Sequence, residues 1–474
     1  MQSFHRHCAV STSLIGGRGR RRLLVSVVAL SLWPSLTPAL AQVETEGFWE
    51  NASLDANLYY IYRDRDRREG GRGANGEGQP GRYASNLQHS TANLALDFSS
   101  GYAGGVVGLD LAAFAAYDFQ NQHQGTEFNF RPADTLWDER WDGKEENGAS
   151  LYRAALKLKL GDSWARMGYL QPQGTSVIAP NWSYLPGTYR GAEVGTEIGG
   201  VALSYVYADA YKAPWYRDVY EFRQPDDRKI DYLHSLGASY RFEDGVTLEA
   251  AIGQAHDYMN QGFAKVSWDT ELAGSPLSLS YQFYGANDSH SDGSVNDVYD
   301  GTAWQQAMTA SYSRGPFDWN LEFSWVRAPG SQGYFVPRMT TPYASSNGRL
   351  DIWWDARSDW NHHDEKAIYA GVEYALDGWS LPGWALGVSY AYGWGAKPYA
   401  GYADPDRRFS ERAWNVDVHY VVQDGWAEGT RFQLHYTDYD NRTDYASWGE
   451  GGFKNAFQDE RDVKFLIVAP FSLL

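Results

Sequence analysis

The sequence predicts an all-β chain: a transmembrane antiparallel β-barrel of about 18 strands, sixteen being the other even count that fits. Long loops lie on the extracellular rim and short turns on the periplasmic one. Three observations predict it. Apolar residues recur at every second position along most of the chain. The connections alternate between short and long. The composition suits strands and tight turns, with 34 Tyr, 20 Trp, 49 Gly and only 5 Met in 474 residues.

The first segment stands apart from the rest. Arg18, Arg20, Arg21 and Arg22 precede the apolar run "LLVSVVALSLWPSL" (23–36), and "ALA" (39–41) supplies small residues at a cleavage position. This predicts a secretory signal over 1–41, removed before Gln42, and a single barrel domain over 42–474. Cys8, the only cysteine, leaves with the signal, so neither a disulfide nor a cysteine metal site is expected. The body of the chain has no apolar run long enough for a membrane helix.

The strands follow in order. "SLDANLYYIYRDR" (53–65) sets Leu54, Ala56, Leu58, Tyr60 and Tyr62 against Asp55, Asn57 and Arg63. "TANLALDF" (91–98) sets Leu94 and Leu96 against Asn93 and Asp97, and "YRAALKLKL" (152–160) sets Leu156 and Leu158 against Arg153, Lys157 and Lys159. "AWNVDVHYVV" (413–422) sets Trp414 and Val416 against Asn415 and Asp417. Alternate side chains of a strand face opposite ways, so each segment has one apolar and one polar face. Segments of this kind are predicted at 51–64, 88–99, 104–118, 149–161, 163–172, 190–199, 201–211, 231–243 and 246–256. They continue at 262–273, 276–286, 303–314, 317–328, 366–377, 383–396, 411–423, 430–440 and 459–473. The last holds "DVKFLIVAPFSLL" (462–474), whose odd-numbered residues from Val463 to Leu473 are all apolar. It reads as a closing strand with that face toward lipid.

The connections carry as much information as the strands. "GD" (161–162), "GG" (199–200), "EDG" (243–245), "AGSP" (273–276) and "RGP" (314–316) are short. They alternate with long polar segments such as 65–87, 119–148, 173–189, 212–230, 287–302, 329–365 and 441–458. Only the gap near 257–261 is short where a long one is due. This alternation is the pattern of outer-membrane barrels. Closure removes the unpaired strand edges that hydrocarbon would penalise. A count of sixteen to eighteen strands leaves room for an aqueous channel.

The formal charge of −18 becomes about −23 once the five arginines of the signal are gone, which argues against nucleic acid as a partner. No cofactor is expected, and no catalytic motif emerges. "NHHDE" (361–365) gathers His362, His363, Asp364 and Glu365 but offers no further ligand at useful spacing, so no metal is expected. "TDYDNRTD" (437–444) lacks the glycine and the bidentate glutamate of a calcium loop.

Several long stretches carry a resemblance. "HSTANLALDFSSGYAGGVVGLDLAAFAAYDF" (89–119), "SVNDVYDGTAWQQA" (294–307), "PYASSNGRLDIWWDARSDWN" (342–361) and "FQDERDVKFLIVAPF" (457–471) resemble the chitoporin branch of the OprD-like family of substrate-selective outer-membrane porins. The similarity covers essentially the whole mature chain. It implies a monomeric barrel in the Gram-negative outer membrane that admits chito-oligosaccharides by passive diffusion. It implies contact with lipid and lipopolysaccharide, and insertion by the barrel-assembly machinery. A family channel for small anionic or amino-acid-like solutes and a plugged barrel that binds or adheres through its loops are the other readings.

Two constellations would serve a channel. Arg153, Lys157, Lys159 and Arg166 project inward if the alternation holds, facing Asp97 and Asp110. Family members use such a basic ladder to guide anions. The plain alternative is a set of Arg–Asp pairs that stiffen the wall. The loops carry aromatics suited to stacking on sugar rings: Trp137, Trp141, Trp182, Tyr184 and Trp215, with Trp353, Trp354 and Trp360 further on. "APNWSYLPGTYRG" (179–191) is expected to fold inward, with Trp182 and Arg190 at the constriction.

Overall fold

The computed structural model describes residues 47–67, 87–121, 147–179, 187–213, 216, 218–340, 348–442 and 450–474. The wall begins with β1 (Ser53–Arg67), β2 (Leu87–Ser99), β3 (Val107–Asn121), β4 (Gly148–Leu160), β5 (Ser163–Leu170), β6 (Thr188–Ile198) and β7 (Val201–Lys212). Two short strands, β8 (Tyr220–Arg223) and β9 (Lys229–Ile230), lie in the next long connection. The wall continues with β10 (Leu233–Arg241), β11 (Val246–Ala255), β12 (Met259–Leu272), β13 (Ser275–Asp288), β14 (Ala303–Arg314) and β15 (Phe317–Arg327). It ends with β16 (Lys366–Ala375), β17 (Trp384–Ala396), β18 (Phe409–Val421), β19 (Arg431–Asp440) and β20 (Glu460–Ser472).

Every wall strand pairs antiparallel with its neighbour in sequence, and β7 pairs with β10 across the small hairpin. β20 then pairs with β1, from Asp55↔Ser472 to Arg67↔Glu460. Eighteen strands therefore close into a barrel, and no wall edge is left open. The predicted count of eighteen stands and sixteen falls. β8 and β9 were not expected; they are too short to cross a bilayer.

The two faces sort as the alternation requires. Along β20, Asp462, Leu466 and Val468 are buried on the inner side, while Phe471 lies exposed on the outer one. The closing strand thus turns its odd-numbered face outward. β15 displays the outer wall in one line: Phe317 and Trp319 near the short-turn rim, Leu321 in the middle and Trp325 near the loop rim, all exposed. This is an apolar belt between two aromatic girdles. A bulge protects the phase of β4. Ala112 faces Arg153 and Ala113 faces Leu151, so Tyr152 is the extra residue. Leu151 consequently points outward with Leu156 and Leu160, while Arg153 and Lys157 point inward.

Rim lengths follow the predicted order. β6 and β7 are joined by Gly199 and Gly200 alone, with φ of 59° and 81°. Two left-handed residues are what the tightest hairpin turn demands. The one short connection on the long side, residues 256–258, falls where the sequence placed it. Both described ends of the barrel lie at the short-turn rim.

Candidate functional site: a lumen narrowed by two inserted segments

Two long connections run into the barrel rather than away from it. The first follows β5. The Glu193 side chain, on β6, accepts hydrogen bonds from the backbone N–H groups of Gln173 (2.9 Å) and Gly174 (2.7 Å). Ser204 of β7 donates to the Thr175 carbonyl at 2.5 Å, and Val177 N–H donates to Ser235 of β10 at 3.0 Å. The segment so crosses the inner faces of β6, β7 and β10 in turn. Gly237 permits the approach: a Cβ there would lie 1.9 Å from the Thr175 carbonyl oxygen.

The second insertion lies between β15 and β16. Arg349 pairs with Glu249 of β11 at 2.9 Å and lies over the Phe263 ring of β12 at 4.2 Å. It also grips Asp351 through two hydrogen bonds, of 3.0 and 2.8 Å. Lys265 of β12 reaches Asp351 at 2.7 Å. Farther on, the Trp354 indole donates to Glu322 of β15 at 2.8 Å and stacks on Tyr369 of β16, with centroids 5.5 Å apart. Asp355 then pairs with Lys464 of β20 and with His435 of β19 at 3.7 Å. This segment spans the lumen from β11 round to β20. Burial opposes ionisation of Asp351 and Asp355. The cations beside them outweigh it and hold both carboxyls below the ordinary range.

The insertions join each other. Ile178 and Gly348 form an antiparallel bridge, and Arg349 N–H donates to the Val177 carbonyl at 2.9 Å. Beneath the second insertion a cavity of about 510 Å³ is lined by Trp353, Asp355, Glu373, Asp417, His419 and Arg431, among others. Trp353 is half-buried there, while its neighbour Trp354 is buried against the wall. Polar groups around an aromatic face can bind a solute with both hydroxyl groups and apolar C–H faces.

The ladder residues are placed as follows. Arg153 binds Asp97 (3.1 and 2.7 Å), and Lys157 binds Asp110 (2.9 Å) and Ser99 (2.6 Å). Arg166 pairs with Glu193 and donates to the Gln171 carbonyl at 2.9 Å. Lys159 shares the face of Arg153 and Lys157 but sits exposed near the short-turn rim. Three of the four basic residues are thus held by carboxylates in the wall.

Arg190 requires a correction. It is exposed and pairs with Asp209 at 2.6 Å, on the face of β6 that carries exposed Val194. Arg190 is the third residue of β6, which starts at Thr188, and alternation turns buried Tyr189 inward and Arg190 outward on the face of Val194. Trp137, Trp141, Trp182, Tyr184 and Trp215 lie outside the described residues. Of the stretch expected to fold in (179–191), residues 180–186 lie outside the described residues and Thr188 onward belongs to β6. The segment seen against the inner wall is the one just before it, 171–178.

The residues that sequence reasoning missed are Arg349, Asp351, Asp355 and their wall partners. A signal existed. From Leu350 to Trp360 the even-numbered residues are buried and the odd-numbered ones half-buried. The period of two simply continues inside a loop.

Comparisons with known proteins agree with this architecture. The family described as outer membrane porin, OprD family, matches residues 46–461. The chitoporin of Escherichia coli (strain K12) is 48% identical over 471 residues, covering 96% of this chain and 99% of that protein. Porin D of Pseudomonas aeruginosa is 22% identical, covering 91% and 94%. Among solved structures, Acinetobacter baumannii OccAB1 superposes with a TM-score of 0.71 at 17% identity, covering 91% of this chain and 99% of that one. Pseudomonas aeruginosa OpdK, crystallised with vanillate, superposes with 0.69 at 20% identity, covering 90% and 100%. The chain belongs to the OprD family of outer membrane porins.

Proposed function

We propose that this porin admits chito-oligosaccharides by passive diffusion, and that the cavity beneath the second insertion is one station on their path. The whole-chain similarity to a chitoporin supports the substrate class. The observation that carries the site is Trp353, whose half-buried face looks onto a cavity rich in Asp, Glu and His. A pyranose ring would lie on the indole while Glu373 and Asp417 accept hydrogen bonds from its hydroxyl groups. Such a station binds weakly enough for the sugar to leave. Trp137, Trp141, Trp182, Tyr184 and Trp215 would extend the path toward the outside. Removal of residues 1–41 as a signal, a monomeric barrel, contact with lipopolysaccharide and insertion by the barrel-assembly machinery belong to the same reading.

The inward basic row favours a second reading, a channel for small anionic or amino-acid-like solutes. The pairing of Arg153, Lys157 and Arg166 with carboxylates weakens it, since a neutralised row exerts less field on a passing anion.

Single-channel current across a planar bilayer decides between them. Chitohexaose, but not maltohexaose, is expected to interrupt the current. Trp353→Ala removes roughly 40 Å² of contact, about 1 kcal/mol, and shortens each interruption roughly fivefold. Current that neither sugar interrupts would sink the sugar reading and promote the anion channel. No current would point to a plugged barrel that binds or adheres through its loops.

A further inference from the structure

The second insertion ends on a buried cluster that the transport path does not use. His362 and Glu365 are among its last residues, and Glu411 arrives from β18, 46 positions beyond Glu365. All three side chains are fully buried. His362 Nδ1 lies 3.2 Å from Glu365 Oε2 and 3.9 Å from Glu411 Oε1. One ligand atom from each residue falls within 4.8 Å of the others.

Two details point to a missing charge. Among the described residues, Glu365 Oε1 and Glu411 Oε1 have no hydrogen-bond partner. A buried carboxylate oxygen left unmatched is costly, and this cluster holds two. The other oxygen of each accepts a hydrogen bond: Glu365 Oε2 from the His362 backbone N–H at 3.0 Å and Glu411 Oε2 from the Tyr439 hydroxyl at 2.5 Å. Gly393 of β17, paired with Glu411 across the sheet, leaves the room they occupy: a Cβ there would lie 2.3 Å from Glu365 Oε1. The neighbouring His363 takes no part, since its Nδ1 accepts the Ala328 N–H at 3.0 Å.

We propose that His362, Glu365 and Glu411 bind one divalent cation of the zinc type and so fasten the foot of the second insertion to the wall. One neutral imidazole and two carboxylates balance a charge of two. Zinc bonds to nitrogen and oxygen of about 2.1 Å at tetrahedral angles set ligand atoms about 3.4 Å apart. The observed 3.2 and 3.9 Å need only small adjustments to meet that spacing. Water can complete the coordination. The ion enters during folding, because the closed barrel buries its ligands.

The competing occupant is a proton. Burial pushes the Glu365 carboxyl up to about 7, so the two carboxyls could share one instead. The test uses untagged protein, refolded in detergent from chelator-treated urea with and without added zinc. Bound zinc is measured by elemental mass spectrometry after desalting. Folding is followed by the temperature at which the compact barrel loses its fast migration on a gel. One zinc per chain is expected, with a melting temperature several degrees higher than in chelator. Glu411→Gln keeps the shape and loses the zinc. If Glu411→Gln does not fold, the wild-type zinc content and its chelator sensitivity decide alone. Wild-type protein that refolds without zinc and melts identically in zinc and chelator overturns the proposal and assigns the site to a shared proton. No sugar enters this experiment, so its failure leaves the transport reading untouched.

Discussion

Arg349→Gln tests whether the second insertion is held in the lumen by its charges. Arg349 ties that segment to two wall strands at once, through Glu249 at 2.9 Å and the Phe263 ring at 4.2 Å. Truncating one partner of a fully buried ion pair costs about 3–5 kcal/mol. Here Arg349, Asp351 and Glu249 keep close to a fifth of their side-chain exposure, and Lys265 remains beside Asp351 at 2.7 Å. Both facts lower the cost, to about 2–3 kcal/mol by our reckoning. That shifts the ratio of docked to undocked insertion by roughly 30- to 150-fold. The assay is single-channel current at neutral pH. The wild type is expected to hold one quiet level, and Arg349→Gln to flicker to larger openings. Arg349→Lys, which keeps the charge but not the two-pronged grip, should fall between them. Acid should loosen the wild type in the same way. The folded-state pKa of Asp351 lies below its unfolded value of about 3.9, so its stabilisation is complete above about pH 5. It is lost as the pH falls through 4 toward the folded value. Currents from Arg349→Gln that match the wild type in level and noise would refute the anchoring argument.

Two further perturbations probe the first insertion. Glu193→Gln retains an acceptor for the Gln173 and Gly174 N–H groups but leaves buried Arg166 without its counter-charge, at a cost of about 3–5 kcal/mol. The barrel should unfold at clearly lower urea, and an unchanged midpoint would show the pair to be dispensable. Gly237→Ala puts a Cβ where the Thr175 carbonyl now lies, so residues 171–179 must move off the wall. Conductance should rise in a barrel that still migrates as folded; unaltered conductance would mean that this segment does not narrow the pore.

The wall was legible in the sequence because the bilayer imposes one local rule on it. Each strand must show hydrocarbon an apolar face, and that face repeats every two residues whatever the partner strand. β1, β2, β4, β18 and β20 could therefore be read from their own residues, and the alternating rims then fixed their order. Arg190 shows how the rule fails. It assigns a face only to a residue already placed in a strand, and Arg190 lay in both the stretch expected to fold in (179–191) and the predicted strand (190–199). β6 runs from Thr188, which puts Arg190 on its outer face.

The lumen obeys no such local rule. Arg349 meets Glu249, and Asp355 meets Lys464, across about 100 positions of sequence. These contacts follow from which strands happen to face an inserted segment, and nothing near either residue announces the other. The cluster at His362 makes the point most sharply. "NHHDE" shows two adjacent histidines that no strand could aim together, and in the structure only His362 joins the cluster. The residue that completes it, Glu411, sits in "FSERAW" (409–414), where it reads as an ordinary polar position of a strand. Two features do distinguish it in the fold: the bare glycine opposite, and a carboxylate oxygen that has no hydrogen-bond partner among the described residues. A wall position is chosen by the solvent outside it, and a lumen position by the segment placed against it. Sequence alone therefore reports the barrel far more completely than the channel.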